Sequence, residues 1–280
     1  MNALEIKGLT KQYPGFSLEP LNLTLPQGCI MGLVGENGAG KSTTIKLILD
    51  MIRRDGGTIT ILGRDNRDNL RLTKEEIGVV MDEVGIPGCL TAKQVGKVMA
   101  NIFKNWEADT YTAYLERLQV PLNKKFEALS RGMKMKLGIA IALSHGAKLL
   151  LLDEATSGLD PVVRDEVMDI FSEFTREESH SILLSSHIVS DLEKICDYIA
   201  FLHKGKLMLC EEKDALRERY GIIRCGIEQA RDIPEEAIIG QKLNLYGAEL
   251  IVNRDAIPEG MAVSPVDIEQ LFIFMAKEVK

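Results

Sequence analysis

One short run restricts the folds open to this chain more than any other feature. Gly35-Glu36-Asn37-Gly38-Ala39-Gly40-Lys41-Ser42 fits the pattern G-x-x-x-x-G-K-[ST]. The apolar Cys29–Val34 precedes it, and Ile45, Ile48, Leu49 and Ile52 follow at the spacing of one helical face, so the run lies at a strand-to-helix turn. At such a turn the glycines let backbone N–H groups wrap a phosphate at the helix N-terminus. Lys41 then neutralises the outer phosphate oxygens, and the Ser42 hydroxyl reaches Mg2+. Gly35, Asn37, Gly38, Gly40, Lys41, Ser42 and Thr43 are the candidate nucleotide-binding residues of this turn.

The surrounding sequence agrees with such a fold. Further apolar runs at Ile77–Met81, Leu149–Leu152, Ile182–Ser185 and Ile199–Leu202 are bounded by turn residues and separated by helical periodicity, the pattern of a largely parallel sheet covered on both faces. Asp160-Pro161 starts a helix carrying Val163, Val167, Ile170, Phe171 and Phe174 on one face. Between Asp82 and Ser130 the strand signal gives way to two helical stripes, Val95, Val98, Met99, Ile102 and Tyr111, Tyr114, Leu115, Leu118, which predict an inserted helical subdomain over about 83–145. Beyond Tyr220 the pattern changes again. Leu243, Leu245 and Leu250 to Val252 across Gly247-Ala248 predict a hairpin, and Ser264-Pro265 is expected to cap a last helix carrying Ile268, Leu271, Phe272 and Met275, a stripe expected to be core. The division is therefore 1–220 for a nucleotide-binding domain and 221–280 for a small α+β accessory domain.

Composition excludes several alternatives. A hydrophobic fraction of 45% and a charged fraction of 27% describe an ordinary globular chain, and the net charge of -7 is the wrong sign for a nucleic-acid-binding surface. No stretch approaches the roughly 18 apolar residues that span a bilayer, and Met1 to Lys7 lacks the character of a secretory leader. Cys29, Cys89, Cys196, Cys210 and Cys225 are dispersed, without a C-x-x-C pair, and read as small hydrophobes in a reducing compartment.

The run Leu149–Leu152 ends in Asp153-Glu154, at the carboxyl end of a strand, where open α/β sheets hold their ligands. Asp153 is placed to hold Mg2+ and Glu154 to polarise an attacking water. With the glycine-rich turn this defines a P-loop nucleoside triphosphatase. Kinases, GTPases and motor ATPases share those two pieces, so other residues must discriminate.

Leu129-Ser130-Arg131-Gly132-Met133, standing before the Asp153 strand, resembles the L-S-G-G-Q signature of ABC ATPases. Ser157-Gly158-Leu159-Asp160 is similar to their D-loop, His187 after Leu183-Leu184-Ser185-Ser186 to their switch histidine, and Tyr13 to the aromatic that stacks on adenine. All stand in family order over residues 1 to about 215. The resemblance implies a mixed sheet core of the ABC ATPase type and hydrolysis of ATP with Mg2+ as cofactor. It assigns Glu154 as general base, His187 to the γ-phosphate, Ser42, Asp82 and Asp153 to the metal, and Ser130, Gly132 and Asp160 to the nucleotide of a second copy. It also implies a head-to-tail homodimer, a separate transmembrane permease, no nucleic-acid partner, and a location at the cytoplasmic face of the membrane.

Asp82 stands where the family usually has glutamine, and Arg131 and Met133 replace glycine and glutamine of the signature. Such signatures, together with Phe103-Lys-Asn-Trp106, resemble bacterial exporter subunits for drugs, antibiotics or polysaccharides. A soluble ABC protein acting on ribosomes or DNA is the alternative, but the chain lacks the second cassette, charged linker or coiled coil of those groups. A kinase or GTPase would leave Ser130–Met133 and His187 without a purpose.

Overall fold

The computed structural model describes residues 1–68, 70–245, 247–258 and 261–278. Strands β1 (Asn2–Tyr13) and β2 (Phe16–Pro26) form an antiparallel hairpin, after which β3 (Ile30–Val34) leads through the glycine-rich turn into α1 (Lys41–Ile48). The chain returns to the hairpin as β4 (Gly56–Ile61) and the short β5 (Arg64–Asp65), then passes through α2 (Leu70–Glu75) to β6 (Ile77–Val80). Next come α3 (Ala92–Ile102), α4 (Ala108–Arg117) and α5 (Arg131–Ala142). The sheet resumes with β7 (Leu149–Asp153), α6 (Pro161–Phe174), β8 (Ser181–Ser186), α7 (Val189–Ile195), β9 (Tyr198–His203) and β10 (Lys206–Glu212). The last part is α8 (Lys213–Arg219), β11 (Tyr220–Cys225), α9 (Ile227–Ala230), β12 (Ile238–Asn244), β13 (Gly247–Asn253), β14 (Ser264–Pro265) and α10 (Ile268–Glu278).

Three sheets result, ordered β2-β1-β4-β5, β10-β9-β3-β8-β7-β6 and β12-β13-β11-β14. The central one is parallel from β9 to β6, with β10 antiparallel at its edge. Its strands read as continuous apolar runs because both faces are covered. Met31, Leu33, Leu149, Leu151, Leu183, Ala200 and Leu202 point into one core with α1 and the hairpin sheet. Ile30, Val34, Leu150, Leu152, Ile182, Leu184, Ile199 and Phe201 point into the other, beneath the helices. That strict period of two assigns each face.

The helical insert forms as expected, with one correction. Thr91 caps α3 in a capping box with Gln94, but Val98 and Ile102 of the expected stripe are exposed. The buried residues of α3 are Ala92, Val95 and Gly96, because the Tyr111 ring crowds against Gly96 and its hydroxyl donates to the Ala92 carbonyl at 2.8 Å. Close approach of the ring thus rotates the packed face.

In the C-terminal part β12 pairs with β13 as a hairpin, but Gly247 and Ala248 lie inside β13 and not in the turn, and Leu243 and Leu245 of the expected alternation are exposed. Ser264-Pro265 does not cap the last helix. It forms β14 on β11, where an edge position tolerates a proline, and the Asp267 carboxylate accepts from the Gln270 N–H at 2.6 Å at the start of α10. Ile268 and Leu271 of α10 are buried in the same core as Leu192 of α7, and the Phe272 ring meets Phe201 of β9 at 5.3 Å between centroids.

Candidate nucleotide site

The parallel order of the central sheet places the candidate residues together. The glycine-rich turn leaves the carboxyl end of β3, Asp153-Glu154 that of β7, His187 that of β8 and Asp82 that of β6, and these four strands are neighbours in the order β3-β8-β7-β6. Ligands of such sheets lie outside the carboxyl ends of the strands.

A cavity of about 390 Å3 opens there, lined by Phe16, Glu36, Asn37, Gly38, Gly40, Lys41, Ser42, Thr43, Asp82 and Glu154. Two glycines of the turn are obligatory. A Cβ at Gly35 would sit 2.5 Å from the Leu202 carbonyl oxygen, and Gly40, at φ 111°, precedes α1 with the Phe16 ring 2.9 Å from where a Cβ would be. Lys41 is buried. Its Nζ donates to the carbonyls of Gly35 at 2.7 Å and Glu36 at 3.3 Å and lies 3.3 Å from Oε1 of Glu154. The cation is thereby held over the turn whose N–H groups point at the same space.

The acidic pair is built differently at its two positions. Asp153, 2% exposed, accepts from the Ser185 hydroxyl at 2.6 Å. Glu154 adopts φ 53°, a left-handed conformation that costs a side-chain-bearing residue roughly 1–2 kcal/mol and is typical of functional sites. Its N–H donates to the Ser185 carbonyl at 3.1 Å, and its Oε2 lies 2.7 Å from Nδ1 of His187. The strained turn directs Glu154 into the cavity and leaves Asp153 beneath it. One carboxylate therefore meets both a lysine and a histidine.

Other candidates stand elsewhere. Ser130 caps α5, its hydroxyl accepting from the Met133 N–H at 3.3 Å, and Asp160 caps α6 through the Val163 N–H at 3.1 Å. Neither they nor Gly132 line the cavity. The Asp82 carboxylate is paired with the Arg131 guanidinium. Tyr13 lies exposed at the end of β1 with the Lys11 ammonium 5.3 Å from its ring, and the aromatic that lines the cavity is Phe16, its partner across the hairpin turn. Phe16 and Ser185 are the residues that sequence reasoning missed. Ser185 stood in plain view as a polar residue at the end of the apolar run that begins at Ile182, where a buried hydroxyl needs a partner.

A glycine-rich turn over a helix N-terminus, a buried lysine and a paired strand-end acid beside a parallel sheet define a P-loop nucleoside triphosphatase. The ABC transporter family model matches residues 18–157. The bacitracin transport ATP-binding protein BcrA of Bacillus licheniformis is 36% identical over 214 residues, covering 75% of this chain and 70% of that protein. The lantibiotic transport ATP-binding protein SrtF of Streptococcus pyogenes is 36% identical over 215 residues, 75% of this chain and 91% of that one. A solved structure described as the ATP binding subunit of an ABC transporter superposes with a TM-score of 0.71 at 28% identity, covering 77% of this chain and 92% of the other. The chain belongs to the ABC transporter family as an ATP-binding subunit, and it hydrolyses ATP. No described helix is long and apolar enough to cross a membrane.

Proposed function

We propose that the chain is the motor of an antibiotic-class exporter, working as a head-to-tail homodimer on the cytoplasmic face of the membrane against a separate permease. The observation that carries this reading is the separation of two half-sites. The phosphate turn, Lys41 and Glu154 share one cavity, whereas the capped N-terminus of α5 with Ser130 and Gly132 lies outside it. A helix N-terminus attracts anions, and a second copy supplies the triphosphate it lacks. The relatives named for bacitracin and lantibiotic transport favour an antibiotic or peptide cargo.

In this reading residues 1–220 form the motor domain and 221–280 an accessory domain. The backbone of Gly35, Asn37, Gly38 and Gly40 and the Lys41 ammonium hold the phosphates. Ser42, Asp82 and Asp153 offer only hydroxyl and carboxylate oxygens, a donor set that fits Mg2+, with Thr43 beside them. Bound there, Mg2+ would supply positive charge to offset that of the phosphates. Glu154, aimed by its strained turn and bonded to His187, accepts the proton of the attacking water while His187 holds the carboxylate in place. Tyr13, paired with the cavity-lining Phe16 across the hairpin turn, would stack on the base, and the Phe16 ring packs against Gly40. Asp160 anchors the start of α6 beside the partner's site. A second cavity of about 490 Å3, walled by Asp82, Val84, Phe126, Arg131 and Met135, is the place for a permease helix.

The test is isolation of the full chain from membranes of its host. Co-purification of a polytopic membrane protein whose presence raises ATP turnover is expected. A chain recovered only free of membranes, or bound to ribosomes, would contradict the proposal.

A further inference from the structure

Asp82 borders both cavities. It lines the nucleotide cavity with Lys41, Ser42 and Glu154, and it lines the second cavity with Arg131, Lys134 and Met135 of α5. Its carboxylate is engaged on the side of α5, accepting from Nη2 of Arg131, the first residue of that helix. The two positions at which this chain departs most in charge from the family pattern are therefore partners, although they stand 49 residues apart.

The arginine also passes close to a third segment. Its stem lies along Gly158, in the turn after β7, where a Cβ would be 3.5 Å from the Arg131 Cδ. One side chain thus touches the end of β6 and the turn that follows Glu154 while belonging to the signature helix. Both charged groups are largely exposed, 60% for Arg131 and 48% for Asp82, so the bond is not locked by burial. Exposed pairs of this kind shift an equilibrium by about 1.5- to 5-fold, enough to bias a conformation and weak enough to be exchanged in every cycle.

We propose that Arg131 is a positioning residue that decides which cavity the Asp82 carboxylate serves. Paired with Arg131, Asp82 ties β6 to the N-terminus of α5. A Mg2+-bound triphosphate competes for the same carboxylate, so engaging the metal releases the signature helix from its own nucleotide site. A neutral side chain at either position would abolish this exchange, because competition between a guanidinium and a divalent cation needs an anion to compete for. The inference rests on the reading of Asp82 as a group that faces Mg-ATP.

Binding of a fluorescent N-methylanthraniloyl ATP to the full chain tests it, measured with Mg2+ and again with EDTA at low salt. Arg131→Gln is expected to tighten Mg2+-dependent binding by about two- to fivefold while the EDTA value stays within error. Arg131→Lys, which keeps the charge, should bring the affinity back toward that of the unsubstituted chain. Asp82→Asn should lower the Mg2+ increment and erase the effect of Arg131→Gln in the double variant. The gain should also shrink at high salt, since both groups are exposed. An equal response to Arg131→Gln with Mg2+ and with EDTA, or a full response in the Asp82→Asn background, overturns the inference and leaves the motor reading intact. Failure of the unsubstituted chain to bind the analogue at all removes both.

Discussion

The two faces proposed to meet a nucleotide in this molecule are built on opposite principles. The turn side is assembled from buried groups at the ends of adjacent parallel strands. Lys41 and Asp153 are nearly inaccessible, and Glu154 is held in a conformation its residue type disfavours. The signature side is one exposed helix start, capped by Ser130 and tethered by the Arg131–Asp82 pair. The first is preorganised by the whole sheet and can act on a ligand by itself. The second offers partial charge and a few N–H groups, and in the proposed dimer becomes a site only when it is carried to a ligand. That asymmetry is what a motor needs, since the closing of a weak half on a strong half is a movement that nucleotide can drive and hydrolysis can reverse.

Substitutions can break or sharpen this contrast. The largest effect is expected from Glu154→Gln, which removes the base and should lower ATP turnover by at least about 100-fold in a phosphate-release assay while nucleotide still binds. Retention of wild-type turnover would mean that the strained turn aims the wrong group. Lys41→Ala should weaken Mg-ATP binding by about 2 kcal/mol, roughly thirtyfold, in titration calorimetry, because a charge-assisted contact is lost from the preorganised half. Ser130→Ala should be milder. Loss of the cap costs about 1 kcal/mol of unfolding free energy by urea titration, and the further loss should appear in turnover of the dimer.

The smallest effect concerns pH and separates the insert from the sheet. His145 follows α5, stacks on Phe103 at 4.0 Å and sits near the Glu75 carbonyl at 3.2 Å, and burial holds its pKa below the ordinary histidine value. The folded chain therefore prefers the neutral ring. The unfolded chain takes up the proton below about pH 6.5, so this contribution is complete above that pH and is lost as pH falls. Urea midpoints at pH 7.5 and 5.5 should differ by less after His145→Leu than before it. An unchanged pH slope would show that other groups set it.

Much of this architecture was legible before the structure because its strands are buried on both faces. Runs such as Leu149–Leu152 and Ile182–Leu184 have no polar face to confuse the reading, and the glycine-rich turn carries its own context. The hairpin sheet was overlooked, although Leu21, Leu23 and Leu25 alternate as a half-buried strand should, because β2 carries a proline and β1 is broken by bulges near Gly8. Short-range patterns also misplaced the last helix start. Ser264-Pro265 looks like a cap until β11 claims it, and Asp267 does the work three residues on. Phe16 and the pairing of Asp82 with Arg131 were beyond spacing arguments altogether, since each depends on segments brought together by the tertiary fold.

The central claim is that two copies complete one another around ATP, and sedimentation velocity of Glu154→Gln at saturating Mg-ATP tests it most directly. The account predicts a dimer that forms with ATP and is lost when Ser130→Arg is introduced into the same chain. A chain saturated with ATP that sediments as a monomer at every concentration would contradict it.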